Sequence, residues 1–296
     1  MYEPTIADYL DILEQIYKLK NEMDTKEYFN NIDIIKKILK YKLKYNFKLS
    51  SHIYMNQFPI TIEKHNRFHI LRDDLLPGGT KSIIADHIIQ LNNDKNKFVY
   101  ASPVYGGFQI ALSHYCKLHN KKSIIFSAEH KKQHSNTKRC RQLGAYVVDV
   151  SPGYLSVVTH RAKQYVKDND DACYINFGAY DSTHIKLIAE RTRQVIESLG
   201  CEPTQIWCAV GSGTLVQGIL EGTTTAHICG VQVGKSVTIT HPRLTIFNYD
   251  KPFHYETTYP TPFPSMPNYD RKAFEIMNIC LRGSPEGNIL FWNVMG

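Results

Sequence analysis

Three short segments of the chain combine residue types that could do chemistry. In Arg72-Asp73-Asp74-Leu75-Leu76-Pro77-Gly78-Gly79-Thr80-Lys81-Ser82, a strand gives way to two glycines and then a lysine at the start of a helix. An amine held among apolar or cationic groups near a helix's positive end loses basicity. It can then attack a carbonyl as the neutral nucleophile that forms a Schiff base. The same spacing also suits a surface lysine after a Gly-Gly turn. In Val210-Gly211-Ser212-Gly213-Thr214-Leu215, glycines after a strand let the backbone approach an anion, and the N–H groups opening the next helix can bind a phosphate. No Lys-Ser/Thr pair follows, so this is not a Walker A loop, and Gly218 comes too late for a dinucleotide GxGxxG. A phosphate monoester on a small cofactor fits better than a pyrophosphate. In Ala101-Ser102-Pro103-Val104-Tyr105-Gly106-Gly107-Phe108-Gln109, hydroxyl and backbone donors could hold a carboxylate, although Pro and Gly also suffice for a plain strand-to-helix connection.

These loops need a frame, and the hydrophobic pattern supplies one. From Phe68 onward short apolar runs alternate with amphipathic stretches: Phe68–Leu71 then Ser82–Leu91, Phe98–Ala101 then Phe108–His119, Ser123–Ser127 then Lys138–Leu143, and Tyr146–Val150 then Ala162–Val166. Tyr174–Asn176, a long helix over His184–Leu199, strand Ile206–Val210, a helix start at Leu215–Glu221 and strand Ile228–Val233 continue the series. Alternation of this kind predicts open parallel α/β sheets. Tyr249–Pro267 is rich in proline and aromatics and reads as an irregular ordered loop. A helix over Pro267–Leu281 and a last strand at Ile289–Trp292 follow. Before all this, Ile6, Tyr9, Leu10, Leu13, Ile16 and Tyr17, then Ile34, Ile35, Ile38 and Leu39, fall at helical spacing. The expected organisation is a helical extension over 1–64, a large cofactor domain from 65–95 and 176–296, and a smaller substrate-side domain over 96–175.

Composition narrows the classes. Hydrophobic residues make up 43% and charged residues 21% of the 296, a globular balance. No apolar stretch is long enough to span a bilayer, and acidic residues interrupt the first nineteen positions where a secretory signal would be apolar. Seven scattered cysteines without a CxxC read as reduced thiols, not as a disulfide framework or zinc site, and no metal is expected. A cytoplasmic location follows from these features as an expectation. The net charge of +7 is uneven: Lys121 to Arg141 holds seven Lys or Arg against one acid, Glu129. This run reads first as a solvated helix face. Its alternative is a footprint for nucleic acid or an anionic substrate.

Taken in order, the lysine after Gly-Gly, the Ser/Gly loop and the GSGT loop resemble those of fold type II pyridoxal-phosphate enzymes. The RDDLLPGGTKS segment looks most like the branch containing aminocyclopropane-carboxylate deaminase and D-cysteine desulfhydrase. Leu143-Gly144-Ala145 within Lys138–Val150, Pro267-Asn268-Tyr269-Asp270-Arg271-Lys272-Ala273, and Ile289-Leu290-Phe291-Trp292-Asn293-Val294-Met295-Gly296 are similar to further segments of that superfamily. The resemblance implies pyridoxal 5'-phosphate as cofactor, with Lys81 as the Schiff-base lysine and general base. It puts Gly211, Ser212, Gly213 and Thr214 on the cofactor phosphate, and Ser102, Tyr105, Gly106 and Gly107 near the substrate carboxylate. Tyr105 and Val294 should also border the cofactor, and both depart from the pattern. Tyr105 stands where the family usually has an Asn that contacts the ring oxygen. Val294 replaces a Thr that faces the pyridine nitrogen and cannot hydrogen-bond, which leaves that contact to Asn293 or Tyr269 or leaves the nitrogen largely unprotonated. The implied activity is lyase or deaminase chemistry on a small free amino acid, in a homodimer. The alternatives are an amino acid carried on a larger anionic molecule such as DNA or a nucleotide, and a cofactor-holding protein without turnover.

Overall fold

The computed structural model describes residues 54–295 except 66–67, 132–133, 152, 177–180, 235 and 283–286. The helical segments expected before residue 50 lie outside the described residues. From Met55 onward the chain forms one compact unit that contains two open sheets.

The first sheet has six strands in the order β1-β2-β10-β7-β8-β9. They are β1 (Ile62–His65), β2 (Phe68–Arg72), β7 (Gln205–Val210), β8 (His227–Gln232), β9 (Leu244–Asn248) and β10 (Ile289–Asn293). Only the edge pair β1/β2 is antiparallel; every other neighbour is parallel. The second sheet is parallel throughout, in the order β5-β4-β3-β6, built from β3 (Lys97–Ser102), β4 (Lys122–Ala128), β5 (Tyr146–Val150) and β6 (Ala172–Ile175). Central parallel strands carry helices on both faces and must be apolar at nearly every position. In β10 all five residues of Ile-Leu-Phe-Trp-Asn are buried. The sheet begins at Ile62, inside the stretch whose pattern suggested a helical extension. Neither β1 nor β9 stands out in the sequence. Both are edge strands, with Glu63, Lys64 and Thr245 breaking the apolar run, as edge strands commonly do.

Seven helices connect the described strands: α1 (Lys81–Leu91), α2 (Phe108–Leu118), α3 (Ser135–Gln142), α4 (Leu155–Lys167), α5 (Ser182–Leu199), α6 (Thr214–Gly222) and α7 (Asp270–Cys280). The longest, α5, starts where the Asp181 side chain accepts the Thr183 N–H at 2.7 Å and stops at left-handed Gly200. It buries Leu187, Ile188 and Val195. Helix α6 packs on it through Gly218, where a Cβ would stand 2.4 Å from the Ile188 Cβ.

The two acids before Lys81 bind different partners. Arg72 is held bidentately by Asp74, at 2.8 and 2.9 Å. Asp73 is fully buried; its Oδ1 accepts from Arg191 of α5 at 2.6 Å, and its Oδ2 accepts from Thr80 at 2.7 Å and the Trp292 indole at 3.0 Å. Arg191 also donates to the carbonyls of Phe58 and Pro59. One carboxylate thus ties β10, α5 and the turn before α1 together and fixes the residue preceding Lys81. Removing its charge strands a buried guanidinium. Asp73→Asn should therefore cost about 3–5 kcal/mol, read as a lower urea midpoint at constant slope.

Candidate active site

In open α/β sheets ligands gather at the carboxyl ends of the strands. Both sheets turn those ends toward one cavity of about 480 Å³. Its wall takes Thr80 and Lys81 from the turn after β2, Pro103, Gly106, Gly107 and Phe108 after β3, and Ala209 to Thr214 after β7. Gly234, Ser236 and Val237 after β8, and Val294 after β10, also line it, with Phe253 and Tyr269 from the late irregular segment and apolar side chains such as Ile84 and Val216 from the helices.

Lys81 opens α1, and the two glycines explain how it arrives there. Gly79 has φ +73°, and a Cβ on it would lie 1.9 Å from the Val294 carbonyl oxygen, so only glycine lets this turn pass beneath β10. The Lys81 Nζ sits over the Tyr269 ring, 5.2 Å from its centroid. Burial lowers the Lys81 pKa, and the nearby Asp270 carboxylate pulls it partly back up. This is the environment of a nucleophilic amine, not of a solvated surface lysine.

The second loop opens α6. Gly213 is its N-cap with φ +88°, and the Ser212 and Thr214 hydroxyls lie 3.2 Å apart. Gly211 lies against the Tyr269 hydroxyl, which a Cβ there would approach to 3.0 Å. Glycines, hydroxyls and a helix N-terminus together are what a phosphate-binding loop requires, so these residues could hold one. A carboxylate placed in it repels the anion and strains the left-handed backbone. Gly213→Asp should raise the dissociation constant for an anionic ligand by about 10²-fold or more while leaving the far-ultraviolet spectrum intact.

The third loop departs from expectation. Gly106 and Gly107 line the cavity, but Ser102 and Tyr105 do not. The Ser102 hydroxyl and the Gly106 N–H both donate to the Pro103 carbonyl, each at 2.9 Å. Gln109 closes the loop further by donating to the carbonyls of Val104 and Gly106 at 3.2 and 2.9 Å. The Tyr105 ring packs edge-on against His134 at 4.8 Å and Phe253 at 6.3 Å.

Two residues gain importance from the structure. Tyr269 lines the cavity, and burial raises its hydroxyl pKa. Asp270, the first residue of α7, is fully buried; its Oδ2 accepts the Met295 N–H at 2.9 Å, while its Oδ1 has no partner. Burial pushes the Asp270 carboxyl up to about 7, against the pull of the Met295 and Val294 N–H groups and of Lys81. Their sequence signal was the Asn-Tyr-Asp-Arg-Lys-Ala segment, which marks a helix start without saying which side chain turns inward. Phe253 gave no signal beyond its aromatic-rich surroundings. No cluster of metal-ligating side chains occurs among the described residues, and no described helix is long and apolar enough to cross a membrane.

Comparison with known proteins bears on the fold and the family. A decarboxylase of Pseudomonas phage M6, named a glycyl-dTMP PLP-dependent decarboxylase, is 24% identical over 281 residues, covering 81% of this chain and 99% of its own. Among solved structures, an ACC deaminase homologue superposes with a TM-score of 0.67 at 14% identity, over 83% of this chain and 94% of that one. The O-acetylserine dependent cystathionine beta-synthase of Helicobacter pylori gives 0.60 at 15%, over 82% and 94%. These likenesses show an α/β fold of type II. The family model described as pyridoxal-phosphate dependent enzyme matches residues 59–278, which span the cavity's lysine, both glycine loops and the Tyr269–Asp270 pair: the chain belongs to that family, and its cofactor is pyridoxal phosphate.

Proposed function

We propose that this enzyme removes the α-carboxylate of an amino acid carried on a pyrimidine nucleotide. The observation that carries the reading is the state of the Ser102–Gly107 loop. An enzyme that retains its substrate's carboxylate must clamp it, yet the Ser102 hydroxyl and Gly106 N–H are spent on Pro103. The walls include Ile84, Phe108, Val216, Val237 and Val294, and Lys81 is the one cationic side chain among the described lining residues. A carboxylate in such surroundings is poorly solvated, and its loss as neutral carbon dioxide relieves that cost. Similarity to a decarboxylase named for a glycyl nucleotide supports the substrate class.

The residues present fit pyridoxal phosphate. Lys81 would offer an amine of lowered basicity to its aldehyde and residues 211–214 the helix-end cradle to its phosphate, while Asp270 would add a buried carboxyl just behind the wall, without lining the cavity itself. When bound, the cofactor supplies the sink for the electron pair left at Cα. Lys81 would then have two tasks: to hold the cofactor until the substrate amine replaces it, taking up the proton that amine gives up, and to deliver that proton to Cα once the carboxylate has left. Apolar walls keep water from that step. A homodimer in the cytoplasm with one site per subunit is part of this reading.

The test is to incubate the holoenzyme with glycine linked to the base of a thymidylate nucleotide, and separately with a panel of free amino acids. Carbon dioxide release from the nucleotide, without ammonia or keto acid, is the expected result. Ammonia and a keto acid from a free amino acid would restore the deaminase expectation. Turnover of neither would favour a cofactor-holding protein.

A further inference from the structure

Four aromatic rings run in sequence from the cavity lysine to the basic segment. Lys81 lies over Tyr269, Tyr269 meets Phe253 at 6.4 Å, Phe253 meets Tyr105 at 6.3 Å, and Tyr105 meets His134 at 4.8 Å. Successive ring planes cross at 82°, 82° and 71°, and all four residues are half-buried. Two perpendicular rings with open surface make a right-angled corner. A flat heterocycle fits such a corner by stacking on one face and touching the edge of the other.

The corner is held in place. Lys272, itself fully buried, donates to the Pro252 and Phe253 carbonyls at 2.9 and 3.3 Å, fixing Phe253 in a segment without regular structure. On the other side, Asn136 donates to the Tyr105 carbonyl at 3.3 Å. His134 accepts the Asn136 N–H on its Nδ1 at 3.2 Å, so its ring proton belongs on Nε2. A neutral imidazole N–H beside the corner suits the carbonyl oxygen of a pyrimidine. Beyond it, Lys131, Lys138 and Arg139 are exposed and form no ion pair among the described residues, whereas Arg141 is tied to Asp149 at 2.8 Å.

We propose that Tyr105, Phe253 and His134 form the recognition pocket for the pyrimidine base that carries the reacting amino acid, with the exposed Lys131, Lys138 and Arg139 facing the phosphate of that nucleotide. This deepens the function proposed above and rests on it. It also gives Tyr105 a different task from the cofactor contact that its sequence position implied.

The test measures dTMP, dGMP and a single-stranded thymidine oligonucleotide binding to the holoenzyme, alongside steady-state kinetics on the nucleotide-linked substrate. Because aromatic stacking is worth about 1–3 kcal/mol per base, Tyr105→Ala and Phe253→Ala should each weaken dTMP binding by about 5- to 150-fold and raise KM more than they lower kcat. Tyr105→Phe, which keeps the ring, should stay within about twofold of the parent, because the stacking face survives. His134→Ala should narrow the preference for dTMP over dGMP. Oligonucleotide binding that is tighter than dTMP binding and weakens with salt would identify a strand as the source of the base; equal affinity would identify the free nucleotide. Parent-like dTMP binding by both alanine variants overturns the pocket. So does a Tyr105→Phe loss as large as that of Tyr105→Ala, since the hydroxyl would then be what matters. If the nucleotide-linked substrate is turned over while the alanine variants keep its KM, the pocket is wrong and the proposed function stands. If the parent binds neither nucleotide nor oligonucleotide and acts only on free amino acids, both fall.

Discussion

Lys81→Ala should leave a folded protein that takes up pyridoxal phosphate without a covalent bond and turns substrate over at least about 10³-fold more slowly. The visible absorbance that survives gel filtration and the adduct trapped by borohydride should both disappear. Three features of the site make this the largest expected effect. The Nζ is the one amine among the described cavity-lining residues, so no neighbour can substitute. Its pKa is lowered by burial, which an externally added amine in water does not reproduce. Its place is fixed by groups that the substitution leaves intact: the Asp73–Thr80–Trp292 hydrogen bonds and the Gly79 turn under Val294. Stability should therefore change little, and loss of activity together with loss of fold would point to a structural lysine instead. A reducible adduct of unchanged yield in Lys81→Ala would place the cofactor on another residue.

Several residues that line the candidate site were legible in the sequence, for a local reason. Lys81 and Gly211 to Thr214 occupy strand-to-helix junctions, where the residue types that bend the backbone are also those that touch a ligand. The same logic placed nearly every strand of the two sheets, because parallel strands buried on both faces announce themselves as unbroken apolar runs. It failed where the signal depends on side-chain direction. Ser102 has the right type and position for a carboxylate, yet its hydroxyl turns to Pro103, a choice made by the Gln109 bonds that close the loop. Phe253 lines the cavity from an irregular segment whose backbone Lys272, about one turn beyond Tyr269, anchors. Contacts between segments far apart in sequence leave no periodic trace. The paired acids of Arg72-Asp73-Asp74 sit between these cases: their spacing was distinctive, and the structure assigns them to the frame, not to the chemistry.

Asp270 provides the sharpest pH test. Valine at position 294, alone, would leave the cofactor's ring nitrogen without a partner, and a buried protonated ring would then be costly. The fold brings a carboxylate behind Val294: the Asp270 Oδ2 takes the Met295 N–H, and the Oδ1 is unpartnered and fully buried. Without cofactor this group is a liability at neutral pH. Its folded pKa, about 7, lies above the ordinary 3.8, so the folded state holds the proton more tightly than the unfolded chain does. Below pH ~4 both states are protonated and the contribution to stability is fully present. Between pH ~4 and ~7 the unfolded chain ionises first, so stability falls as pH rises; above pH ~7 the loss is complete, at most on the order of 4 kcal/mol. Asp270→Asn removes the titration. Urea unfolding of the two cofactor-free proteins at pH 5 and pH 8 should show the parent losing more stability than the variant across that interval. Equal losses would mean that Asp270 is ionised throughout and paired with Lys81. Loading the cofactor should reverse the ranking above pH 7, because an ionised carboxylate buried behind the cavity wall would stabilise a protonated ring nitrogen through the low-dielectric interior and an amide would not. In the loaded enzymes the same substitution should lower turnover by about 10²-fold or more, the scale of losing one positioned charge at a reacting centre, and shift the visible absorbance. A variant that keeps both parent spectrum and parent rate would leave the nitrogen unpartnered, as Val294 by itself implied.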